Sequence, residues 1–61
     1  MKTLQVKLNG KWEYVFCYNV LKSDPIVTNR QSAALRPNDL QYFQTRFGNH
    51  EFRVGNKLSQ A

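Results

Sequence analysis

The chain is poor in the residues from which catalytic and metal sites are built. It holds one cysteine, Cys17, and one histidine, His50. No disulfide can form within the chain, and one thiol with one imidazole cannot complete a tetrahedral zinc site. Carboxylates are scarce as well: Glu13, Asp24, Asp39 and Glu51 are the full set. Asp24 lies in a turn sequence and Asp39 at the start of a helical stretch. Glu13 and Glu51 fall at polar strand positions, where a cross-strand Lys or Arg accounts for them. The three glycines (Gly10, Gly48, Gly55) stand far apart and each ends an element, so no phosphate-cradling glycine loop exists. Cys17 and His50 are the one conceivable catalytic pair, neighbours only if the last strand pairs beside the second. A lone strand cysteine is more often a small hydrophobe. These absences predict a chain that is not an enzyme and carries no cofactor or metal.

Long apolar runs are also missing. Nothing approaches the ~20 residues that span a bilayer, and the alternating first residues lack the apolar core of a signal peptide. The single cysteine fits a reducing compartment, so the expected location is cytoplasmic, in a bacterial or phage-encoded protein with no membrane contact.

What is present is apolar and aromatic. Of 61 residues, 41% are hydrophobic and eight are aromatic rings, enough for a small core without staples. Thr3 to Leu8 alternates polar and apolar, Asn9-Gly10 follows, and Trp12 to Val20 is the longest strand-favouring run. Two alternating runs joined by Asn-Gly read as a β-hairpin. Its register is open to two readings. A two-residue type I′ turn pairs Leu8 with Lys11 and puts Trp12, Tyr14 and Phe16 beside Thr3, Gln5 and Lys7, away from Leu4, Val6 and Leu8. A three-residue loop with Gly10 as a left-handed bulge pairs Lys7 with Lys11 and gathers every large residue on one face. Register follows segregation where one face is buried, which selects the bulge.

Ser23-Asp24-Pro25 is turn chemistry, and Ile26-Val27-Thr28 reads as a short third strand. Thr28 to Gln31 has capping-box spacing for one helical turn. Pro37 and Asn38, as N-cap, then open a better helix, with Leu40, Phe43 and Phe47 on one face and Gly48-Asn49 as its stop. His50 to Val54 alternates as a last strand. The predicted fold is α+β: a small antiparallel β-sheet of three to four strands (N-terminal β-hairpin, short third strand, C-terminal strand) packed on one α-helix, order β-β-β-α-β. Residues 1–55 form one domain, and 56–61, small and polar, a mobile C-terminal tail.

Nine Lys and Arg against four Asp and Glu give a net charge of +5. That favours an anionic partner, nucleic acid or an acidic protein surface. The candidate nucleic-acid-binding set is Lys7, Lys11, Trp12 and Tyr14 around the hairpin, with Arg53 and Lys57 from the last strand and tail: cations track phosphates while rings stack on bases. Arg30, Arg36 and Arg46 form a second basic set. The expected function is a small non-catalytic basic binding module associating with nucleic acid or a nucleic-acid-handling complex. The alternative is a homodimeric or adaptor-type protein–protein interaction protein with no nucleic-acid contact.

Overall fold

Asn9 and Gly10 both adopt positive φ, 52° and 79°, and the chain reverses across these two residues alone. This is the backbone of a type I′ turn, whose twist matches that of the strands it joins. In this computed structural model, which describes residues 1–58, the turn links β1 (Thr3–Leu8) to β2 (Lys11–Asn19). β3 (Asp24–Thr28), two 3₁₀ turns (Gln31–Ala33 and Pro37–Asp39), α1 (Leu40–Arg46) and β4 (Glu51–Gly55) complete the chain. The four strands form one antiparallel sheet in the order β3-β2-β1-β4, and α1 packs on one face. The α+β architecture and its element order are those the sequence predicts.

The hairpin register is not the one that segregation selected. Leu8 pairs with Lys11, Lys7 with Trp12 and Gln5 with Tyr14, so the three-residue bulge loop is corrected to the two-residue turn. Leu4, Val6, Val15, Phe43, Phe47 and Phe52 make the core, and Trp12 and Tyr14 sit on the reverse of the sheet. The irregularity lies further along β2. Val15 pairs with Val27 but Cys17 with Ile26, leaving Phe16 unmatched and half-exposed. A bulge bends its strand and resets the alternation. Tyr18 thereby returns to the helix side, stacked on Phe47 with ring centres 3.6 Å apart. Phe43 meets Phe47 and Phe52 edge-on at 5.2 and 5.4 Å, each such pair adding about 0.5–1.5 kcal/mol beyond burial.

β1 and β2 part beyond Gln5–Tyr14. Leu35 enters the gap: its N–H donates to the Val15 carbonyl, and its own carbonyl accepts from the Leu4 N–H, both at 2.9 Å. One residue from the crossover thus satisfies the two strands where their own ladder stops. The predicted Asn38 cap is replaced by the 3₁₀ turn Pro37–Asp39, and α1 begins at Leu40 with no side-chain cap. Seven residues are too few for a helix to stand on propensity. The buried Phe43 and its aromatic neighbours hold it in place.

β4 pairs with β1, not β2: Phe52 faces Val6 and Arg53 faces Gln5. The pairing that would set His50 beside Cys17 therefore does not form. His50 instead meets the Tyr18 and Phe52 rings, and its Nε2 lies 3.2 Å from the Ser23 carbonyl oxygen. Of the segment read as a tail, residues 56–58 touch the sheet through Asn56 and Leu58, and 59–61 lie outside the described residues.

Candidate functional site

The sheet face away from α1 carries two cross-strand rows. Strand alternation places Trp12 and Lys7 opposite each other in one, and Tyr14, Gln5 and Arg53 side by side in the next. Arg53 leans along its face toward the hairpin, and its guanidinium carbon lies 3.9 Å from the centre of the Trp12 ring. The Lys7 ammonium lies 5.9 Å from the same centre. The half-buried indole is therefore framed by two cations, contacts worth about 0.5–1 kcal/mol each at a surface.

Gln5 fixes Arg53 in this pose. Arg53 Nε donates to Gln5 Oε1 at 2.8 Å, and Gln5 Nε2 donates to the Asn56 carbonyl at 2.7 Å. Gln5 is 0% exposed, so both ends of its amide are buried and both are satisfied. Gly55 makes the room: a Cβ there would stand 2.8 Å from Gln5 Oε1. With Nε committed to Gln5, the two Nη groups of Arg53 make no hydrogen bond among the described residues. They remain a donor fork of the shape that suits a phosphate or carboxylate.

The residues proposed from the sequence divide as follows. Lys7, Trp12 and Arg53 come together at the hairpin end of this face, Lys7 and Arg53 exposed and Trp12 half-buried. Tyr14 lies in the same rows but is only 3% exposed, and its hydroxyl accepts the Leu58 N–H at 2.7 Å. Its ring offers no stacking surface; it anchors the segment after β4. That segment carries the exposed Lys57 between two residues tied to this face, Asn56 and Leu58. Lys11 is exposed at the hairpin tip, opposite Leu8 and so on the helix-side register. Arg30 and Arg36 precede the two 3₁₀ turns, and Arg46 ends α1. All three are exposed, on separate elements.

Sequence reasoning passed over Gln5 and Gly55. A glutamine in an alternating strand reads as solvent-facing, and a glycine after a strand reads as a stop. The signal was their joint position flanking Arg53 in adjacent strands, legible only once β4 is paired with β1. Among the described residues no group of three His, Cys, Asp or Glu could hold a metal ion, and no helix is long and apolar enough to cross a membrane. No family model, curated protein or solved structure matches this chain.

Proposed function

We propose that this chain is a non-catalytic basic binding module that associates with single-stranded nucleic acid through the hairpin end of the sheet face turned away from α1. The observation that carries the reading is the Arg53 guanidinium over the Trp12 ring, with Lys7 beside it. A guanidinium or an aromatic ring is a platform for an unstacked base, and the Nη fork, which makes no hydrogen bond among the described residues, and the lysines supply donors for phosphates. Single strands suit such a site because bases inside a duplex do not offer their faces. The net charge of +5 adds long-range attraction to a polyanion.

Trp12 is the chain's single tryptophan, so its fluorescence reports the site directly. Titration with a short oligothymidylate at low salt should change that emission saturably. The affinity should fall with added salt at a log–log slope of about −2, from roughly 0.7 per phosphate neutralised by Lys7, Arg53 and Lys57. An unchanged emission at low salt would refute the reading. The alternative, a dimer or adaptor, draws on the edge strand β3, where Ile26 and Val27 are exposed beside an unpaired backbone edge. Nuclease-insensitive association at a fixed stoichiometry would favour it.

A further inference from the structure

The far end of β2 from Trp12 holds a second surface. An open groove of about 990 Å³ lies between the turn after β2 and the outer side of α1. Phe47, nearly buried, and Tyr18, stacked on it at 3.6 Å, give it an apolar base. Tyr42, 57% exposed, meets Phe47 edge-on at 6.2 Å, and Val20 is 63% exposed. Arg46, in the last turn of α1, is the one charged residue in the lining among the described residues. The remainder is neutral amide and hydroxyl, from residues such as Gln41.

From this lining we infer that the groove binds a short peptide segment of a partner protein, one that sets an apolar side chain beside a carboxylate. The volume is that of a ligand pocket. Tyr42 and Val20 stand mostly exposed in this lining, and Tyr and Arg, as at Tyr42 and Arg46, are residue types that anchor interfaces. Among the described residues no carboxylate lines the groove beside Arg46, and a guanidinium takes a carboxylate through two parallel hydrogen bonds, so an acidic side chain on the occupant complements it. Side-chain amides at the rim match the N–H and C=O groups of a peptide backbone. A nucleic-acid strand fits less well, since it needs a row of cations and this groove has one.

The test uses a short acetylated peptide alternating leucine and aspartate, titrated into the full chain and followed by backbone amide shifts. A peptide with asparagine for aspartate is the control. The inference expects shifts at Tyr18, Tyr42 and Arg46, and about tenfold weaker binding of the asparagine peptide, the size of one charge-assisted contact. Arg46→Gln should lower affinity for the acidic peptide about tenfold and leave that for the asparagine peptide unchanged, while Tyr42→Ala should weaken both. Both residues are exposed, and a cooperative thermal transition well above the titration temperature confirms that the variants fold. Equal binding of the two peptides, or no groove shifts at millimolar peptide, would overturn the inference. So would groove shifts produced by oligothymidylate instead, or by raising the protein's own concentration, which would assign the groove to nucleic acid or to a second copy.

Discussion

Arg53 and Trp12 lie on strands separated by β1, yet the guanidinium carbon of one is 3.9 Å from the ring centre of the other. The residue between them in the sheet, Gln5, makes the bridge by accepting the Arg53 Nε–H at 2.8 Å. The arrangement continues to Gly55, where a Cβ would press on Gln5 Oε1. Three residues from three strands, Trp12, Gln5 and Gly55, thus set the pose of the Arg53 cation, and the binding reading stands on that pose.

Gly55→Ala tests the bridge from its far end. The added methyl must push the Gln5 amide away, since 2.8 Å is closer than real Cβ atoms approach. A displaced Gln5 releases Arg53 and strands a buried amide, at a cost of about 1–3 kcal/mol. The expected outcome is a lower unfolding midpoint together with altered Trp12 emission. Gly48→Ala is the control: its Cβ would meet the Gln44 carbonyl oxygen at 3.4 Å, ordinary contact, and emission should not change.

Gly10→Ala tests the turn. Nothing lies within 4 Å of a Cβ at this position, so the whole cost is the positive φ of 79°. That cost is about 1 kcal/mol. Chemical denaturation should show a reduced midpoint with an unchanged slope. A three-residue bulge loop would also need Gly10 left-handed, so the register itself is checked by cross-strand proton contacts between Lys7 and Trp12.

Phe43→Ala and Tyr42→Ala separate core from surface on one short helix. Phe43 is buried against Phe47 and Phe52, and its loss should cost about 3–5 kcal/mol. A domain of this size has on the order of 5 kcal/mol in all, so Phe43→Ala should be largely unfolded near physiological temperature. Tyr42→Ala removes a mostly exposed ring and should cost about 1 kcal/mol or less. Thermal unfolding followed by circular dichroism reads both.

The sequence made the hairpin legible because Asn-Gly between two alternating runs marks a chain reversal, though not which of two turn geometries makes it, and made the helix legible because Phe43 and Phe47 repeat at helical spacing. It concealed the bulge at Val15–Cys17, since a bulge changes the alternation inside an unbroken strand-like run and leaves no compositional mark. That concealment misled the register argument. All the rings of β2 looked as though they had to share a face, whereas the bulge lets Tyr18 join the core while Trp12 and Tyr14 stay on the reverse. The Leu35 wedge was hidden for another reason: its role is played by backbone groups, which every residue carries. Lys7, Trp12 and Arg53 could be named from type and strand position. Their meeting depended on β4 pairing with β1, a long-range choice that local pattern does not encode.

A basic chain can attract any polyanion weakly at low salt, so affinity alone does not locate a site. The decisive measurement is a chemical-shift titration of the full chain with oligothymidylate, resolving the backbone amides, the Trp12 indole N–H and the Arg53 Nε–H. The account predicts saturable shifts that are largest at Lys7, Trp12 and Arg53, extend to Lys57, and disappear in Arg53→Gln. Small shifts spread over all nine cations, or shifts centred on Arg30, Arg36 and Arg46 with the Trp12 indole unmoved, would contradict it.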